Sequence, residues 1–188
     1  MNVSEAIHTR RAVRAYQSRS VEPAVVEALL TAAVQAPSAM NAQPWRFVVV
    51  QDTARLKRYS DIAKQLLLAR DHGDNKAASY RDLLAAPEFN IFYDASTLIV
   101  LCAGERTPFS DADAWLAAAN LMLAACEAGL GTCCIGFALG VLNTPEVKQE
   151  LRIPPEGVAI APVILGYPAA PSPIVPRAAP RIWSWLGR

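Results

Sequence analysis

The sequence predicts an α+β fold: a mixed central sheet of four or five strands flanked by helices, in one domain spanning residues 1–188. Two patterns predict it. Four short apolar runs, at 46–51, 97–103, 132–137 and 158–165, read as strands bounded by turn residues. Longer segments between them carry apolar residues at helical spacing, punctuated by capping residues, Pro and Gly.

The elements follow in order. Ser4 can cap a short helix running to about Arg10. Glu22-Pro23 opens the next, with Pro where its missing N–H costs nothing and with Val25, Val26, Leu29, Leu30 and Ala33 on one face. Pro37 ends it. The run 46–51 has a Val-rich centre suited to burial on both faces. Asp52-Thr53 opens a helix through Leu56, Ile62, Leu66 and Leu67. Residues 70–96 begin polar and read as helix, lid or both. A strand occupies 97–103. The clearest helix is 111–128, with acids at its start and Gly129 just past its end. It is apolar nearly all round, which predicts burial, at a subunit interface in particular. After the strand 132–137, Asn143-Thr144-Pro145-Glu146 caps a helix to about Leu151. Gly166-Tyr167-Pro168 closes the last strand. The tail 169–188 is Pro-rich, hence extended, yet Ile174, Val175, Ile182, Trp183 and Trp185 want burial. It reads as an arm over a partner subunit or as a segment packed on its own domain.

Composition narrows the function. Hydrophobic residues make up 53% of the chain and charged residues 19%, a balance that points to surface hidden in an oligomer. A net charge of +1 gives no reason to expect nucleic-acid or membrane binding. The N-terminus lacks the apolar run of a signal peptide, and no apolar stretch is long enough to span a bilayer. Cys102, Cys126, Cys133 and Cys134 lie in apolar surroundings without zinc-ligand spacing. They read as reduced, mostly buried thiols of a cytoplasmic protein, with no metal site.

Two features could carry chemistry. Arg10, Arg11 and Arg14 cluster where the first helix ends. That end of a helix dipole repels anions, so guanidinium groups would have to supply the attraction for a phosphate. The loop from Pro37 to Trp45 offers Ser38, Asn41 and Gln43, and amides match both donors and acceptors of a flat heterocycle. Gln43 precedes Pro44 and is therefore biased to an extended backbone. Read from the residues alone, the cluster could equally be a solvated helix end and the loop an ordinary helix-to-strand turn. No GxGxxG or GxxxxGK[ST] occurs, which argues against the common dinucleotide and P-loop folds.

Four stretches, in order, resemble the nitroreductase family. Arg10-Arg11-Ala12-Val13-Arg14-Ala15-Tyr16 is similar to its N-terminal R-R-S-x-R-x-F/Y, and the loop beginning Pro37-Ser38 is similar to P-S-x-x-N-x-Q-P-W. Gly129 to Gly136 resembles G-L-G-x-x-x-I-G, and Leu165-Gly166-Tyr167-Pro168 the end of the last core strand. The resemblance implies a nitroreductase-like fold and a homodimer with FMN at the subunit interface. It implies that Arg10, Arg11 and Arg14, with backbone around Ala12, hold the FMN phosphate and ribityl chain. Pro37, Ser38, Met40 and Asn41 would approach the flavin from the other subunit, and backbone at Cys134, Ile135 and Gly136 would lie near the ring edge. Arg177 would complete the phosphate site, with Arg181 in reserve. The implied activity is NAD(P)H oxidoreduction by ping-pong hydride transfer, NADH or NADPH reducing FMN and FMN reducing a nitroaromatic, quinone or similar small molecule. No side chain is assigned an acid–base role. Other readings within the fold are a reductive dehalogenase-like or flavin-fragmenting enzyme and a non-catalytic FMN-binding protein. Ala12 stands where the family has Ser, one hydroxyl donor fewer.

The remaining candidates are weaker. His8 and His72 are about sixty residues apart and pair with no nucleophile. Asp111 and Asp113 sit where a helix start favours acids anyway. Tyr80, Phe89, Phe92, Tyr93 and Phe109 could stack on a flavin or form core.

Overall fold

A computed structural model describes residues 1–69, 75–173 and 175–187; His72 and Ile174 lie outside them. A four-stranded sheet runs through the centre in the order β1 (Trp45–Val50), β2 (Thr97–Ala103), β4 (Val158–Gly166), β3 (Gly131–Cys134). The three strand pairs are antiparallel rather than mixed, and the parallel bridge between Ala12 and Thr132 is isolated, outside the strands. The helices are α1 (Val3–Thr9), α2 (Pro23–Ala33), α3 (Thr53–Ala69), α4 (Asn75–Ala85), α5 (Ser110–Glu127), α6 (Leu139–Leu142) and α7 (Pro145–Glu150). None of the described helices is long and apolar enough to cross a membrane.

The sheet separates two cores. Every residue of β2 is buried, and its side chains alternate between the cores. Leu98, Val100 and Cys102 face one core, with Leu56, Tyr59 and Ala63 of α3 and Val141 and Leu142 of α6. Ile99, Leu101 and Ala103 face the other, with α2 and α5. The register slips between Leu101 and Cys102, and the consecutive β4 residues Ile160 and Ala161 lie on the same face there, as a bulge requires.

Four expectations change in detail. Asn2, not Ser4, caps α1: its side chain accepts from Glu5 N–H while Glu5 accepts from Asn2 N–H, each at 2.9 Å. Helix α2 ends at Ala33, four residues before Pro37, because Gln35 and Ala36 already donate to the i−3 carbonyls of Ala32 and Ala33. Strand β3 stops at Cys134, where Ile135 gives its N–H to Pro162 O and the chain turns. The Val-rich β1 is an edge strand, so its burial is partial and Val49 is exposed.

Residues 10–17 form neither helix nor strand. This arm leaves α1 at Arg10, whose backbone is extended, and lies across the ends of β3 and β4. Val13 N–H donates to Thr132 O at 3.0 Å, Gln17 N–H to Tyr167 O at 2.9 Å, and Ala169 N–H to Ala15 O at 2.9 Å. Two glycines make the close approach possible. A Cβ on Gly131 would sit 2.7 Å from the Val13 side chain, and one on Gly166 would sit 2.8 Å from the Tyr16 ring. The Tyr16 hydroxyl turns back to donate to Val13 O at 2.7 Å, which ties the two contact points together.

Gly131→Ala should therefore force Val13 off β3 and destabilise the protein by about 1–3 kcal/mol, the usual range for overpacking. Denaturant titration checks this; wild-type stability would show that the arm is not held through this contact.

Candidate functional site

The arginine cluster falls on the arm rather than on a helix end. Arg11, Ala12 and Arg14 line a cleft of about 540 Å³ whose far wall is the first part of the tail, including Ser172, Pro173 and Arg177. Arg11 Nη1 donates to the carbonyls of His8 and Arg10 at 2.7 and 2.8 Å, so part of its guanidinium caps α1. Its Nε is buried without a protein partner. Arg10 is half-buried and lines neither this cleft nor the next, but its charge lies close enough to favour the Cys133 and Cys134 thiolates. Of the two tail cations considered, Arg177 reaches the cleft and Arg181 does not line it.

A second cleft, of about 410 Å³, adjoins the first through Arg14. Residues 133–137 form one wall; Tyr80, Leu83 and Tyr93 form the other. Tyr80 and Phe137 meet edge to face, with ring centroids 5.6 Å apart at 75°. The three backbone positions expected here differ in what they can offer. Cys134 is paired with Val163 in the sheet. Ile135 is held on both sides, donating to Pro162 O and accepting from Ala138 N–H at 3.0 Å. Gly136 is exposed, and a Cβ built there would meet nothing within 4 Å, so a flat ring can approach its backbone.

These features suit FMN. Arg11, Arg14 and Arg177 answer a phosphate carrying nearly two negative charges, and the orphaned Arg11 Nε is a donor without a partner. The aromatic cleft beside Gly136 answers a planar ring.

The loop 37–43 lies elsewhere. Ala39 N–H donates to Asp113 Oδ1 at 3.1 Å, near the start of α5. Thr9, one residue before the arginines, touches Cys126 Sγ at 3.5 Å, near the end of the same helix. The two contacts are thirteen residues apart along α5, about 20 Å. Pro37, Ser38, Met40 and Asn41 line neither cleft of their own chain. Met40 is 98% exposed. Met40, Asn41 and Gln43 all have left-handed backbones, with φ of 52, 54 and 47°. The extended conformation expected of Gln43 is thus replaced: its N–H turns inward to donate to Ser38 Oγ at 3.0 Å. Each such residue costs about 1 kcal/mol, Asn least. Between these two ends, Trp115 and Leu116 of α5 are 40% and 45% exposed, so the burial expected for this helix holds on one side only.

The tail divides. Its first part packs against the chain's own arm, whereas Ile182, Trp183, Trp185 and Leu186 are exposed. His8 is a surface residue whose Nδ1 lies 2.7 Å from Ser4 O. Phe92 is core, Phe109 is exposed, and Tyr80 and Tyr93 line the second cleft. Phe137, Leu83 and Ser172 were not anticipated. Phe137 directly follows the Ile-Gly pair, which could have flagged it; Leu83 and Ser172 carry no local signal.

The cysteines are free; Cys102 and Cys133 are buried, Cys126 is half-buried, and Cys134 is exposed in the single chain. Burial pushes the Cys102 thiol up to about 11. It also raises Cys133 and Cys134, the latter because its Sγ lies against Met122 Sδ at 3.6 Å although the residue as a whole is exposed; Arg14 and Arg10 oppose the rise at Cys133 and Arg10 at Cys134.

The chain belongs to the Nitroreductase family, whose model matches residues 7–167. It is 32% identical over 167 residues to an Archaeoglobus fulgidus protein with the provisional name NADH dehydrogenase/NAD(P)H nitroreductase, covering 86% of this chain and 83% of that one. It is 30% identical over 159 residues to the iodotyrosine deiodinase of Thermotoga neapolitana, covering 79% and 78%. Its fold superposes on the nitroreductase of Bacteroides fragilis, solved with bound FMN, at a TM-score of 0.83 and 25% identity over 99% and 98% of the two chains.

Raised thiols are weakly ionised near neutral pH. Cys134, though exposed, should alkylate with iodoacetamide more slowly at pH 8 than a free peptide cysteine, and its rate should keep rising with pH after that of the free thiol has levelled off. Peptide mapping of the alkylated protein checks this; a rate equal to the free thiol would contradict the account.

Proposed function

We propose that this protein is an FMN-dependent NAD(P)H oxidoreductase acting on nitroaromatics, quinones or similar flat acceptors, as a homodimer with FMN at the subunit interface. Arg14 carries the reading: it borders both the basic cleft and the aromatic cleft, so one ligand with an anionic tail and a planar head would span them. Arg11, Arg14 and Arg177 would hold the phosphate as charged hydrogen-bond donors. Ala12 offers backbone only. Gly136 would let the ring approach closely, and Cys134 and Ile135 would fix the strand end beneath it.

FMN, when bound, supplies the two-electron chemistry. The chain's part is to bind, to orient and to exclude water. Tyr80, Leu83 and Phe137 would cover the ring with apolar surface that admits one flat molecule at a time, which supports ping-pong exchange of NADH or NADPH for the acceptor. No side chain is needed as proton donor.

The second subunit is part of the proposal. The loop 37–43 is anchored about 20 Å along α5 from the Thr9 contact and lines neither cleft, which supports its serving the flavin of a partner subunit. Pro37, Ser38, Met40 and Asn41 would meet the flavin of a partner across the exposed Trp115 and Leu116 face of α5, with the end of the tail laid over that partner.

A second reading has support of its own. The 30% identity to an iodotyrosine deiodinase favours reductive dehalogenation as the alternative use of the same flavin. Anaerobic titration of the reduced protein with nitroaromatic, quinone and halophenol acceptors separates the two.

The purified protein should be yellow after FMN is supplied and should bleach with NADH or NADPH under anaerobic conditions. Arg14→Ala should weaken FMN binding by about 1.5–3 kcal/mol, the worth of a charged hydrogen bond. A colourless wild type rejects the cofactor, a yellow protein that neither nucleotide bleaches rejects the oxidoreductase, and unchanged affinity in Arg14→Ala rejects the assignment of that residue.

A further inference from the structure

We infer that Lys64 is a positioning residue for Arg14, acting through the loop 86–94 and the Tyr93 ring. The inference rests on the FMN reading of the two clefts and adds a group that lines neither of them.

Lys64 lies on the inner face of α3 and is 7% exposed. Its ammonium donates to the carbonyls of Phe89 at 2.9 Å and Ala86 at 3.1 Å, and more weakly to Pro87 at 3.4 Å. Asp61 Oδ1 is 3.6 Å away, but that oxygen already takes Lys57 at 2.7 Å. Among the described residues, the hydrogen bonds of Lys64 therefore go to one loop, with Asp61 as a longer ion-pair partner. Packing alone does not explain this choice, because a methionine would fill the same space without the cost of burying a charge. Three carbonyls converging on one point need a group with three donors, and an ammonium is that group.

The same helix holds the loop a second time. Ser60, one turn before Lys64, accepts from Ile91 N–H at 3.0 Å. Asn90 then locks the next residues: Phe92 N–H donates to Asn90 Oδ1 at 2.9 Å, and Asn90 Nδ2 donates to Asp94 at 2.8 Å. Out of this clamp come two consecutive left-handed residues, Tyr93 and Asp94, with φ of 53 and 54°. An aromatic residue holds that conformation only where its surroundings over-determine it.

The turn presents the Tyr93 ring to the arginine arm. The Arg14 guanidinium lies 5.8 Å from its centroid, and Phe89 meets the ring edge to face at 5.7 Å. Arg14 is otherwise an exposed residue on an extended arm, with the Cys133 thiol as its second side-chain neighbour. Tyr93 is the surface on which its side chain lies at the junction of the two clefts. The line of contacts runs from Lys64 to three carbonyls, to the strained turn, to Tyr93, to Arg14. Loosening the first link should let the last one wander.

A double-mutant cycle read by quenching of flavin fluorescence tests this, without any turnover. Lys64→Met should weaken FMN binding about tenfold in the wild-type background, as a misplaced binding group does, and by no more than about twofold in the Arg14→Ala background. Equal losses in both backgrounds would mean a general structural effect and would overturn the inference, as would full affinity in a folded Lys64→Met protein. Should circular dichroism show Lys64→Met unfolded, Tyr93→Leu replaces it with the same two expected numbers. A wild type that takes up no FMN would overturn the cofactor reading and this inference together, whereas a wild type that binds FMN with additive losses overturns this inference alone.

Discussion

The site depends on how closely residues 10–17 can lie against the sheet. Backbone hydrogen bonds to Thr132 and Tyr167 set the register of this arm, but hydrogen bonds of this kind are individually worth only about 1 kcal/mol. The contacts at Gly131 and Gly166 decide whether those bonds can form at all, because any side chain there would occupy the space of Val13 and Tyr16. Two missing methyl groups thus place the guanidiniums of Arg11 and Arg14. The short helix before the arm contributes little by itself; its seven residues end in carbonyls that repel an anion, and Arg11 covers two carbonyls at that end, those of His8 and Arg10.

The second organising element is α5. It packs under the sheet through its alanines and Leu121, holds the loop 37–43 near one end through Asp113, and meets α1 near the other through Cys126. The two contacts are thirteen residues apart along the helix. The loop also spends conformational energy on three left-handed residues, offset in part by hydrogen bonds to Ser38 and Asp113, while leaving Met40 in solvent. Both facts support the proposed dimer, in which the outer face of α5 would be where two copies meet.

Much of the fold was legible in the sequence because its signals are local. Apolar runs, Pro at the start of α2 and α7 and Gly after α5 placed every strand and most helices within a few residues. The misses arose where a tertiary partner decides. Gln43 was expected to be extended from the proline that follows, but Ser38 Oγ captures its N–H and turns it over. The Val-rich β1 reads as doubly buried, yet position at the sheet edge is a property of topology and not of composition. The arginine cluster was legible as an anion site only through family resemblance, since a charged cluster alone fits a solvated surface equally well. Nothing local to Ser172, Leu83 or Lys64 marks them, because their surroundings are assembled from segments far apart in the chain.

Hydrogen exchange of the homogeneous protein with and without FMN tests the central claim most directly. The account predicts that FMN slows exchange in three separated stretches at once: the arm 10–17, the tail near Arg177, and the loop 37–43. A protein that turns yellow with the arm exchanging as before would contradict it, since the cofactor would then be held by something other than the guanidiniums that Gly131 and Gly166 bring into place.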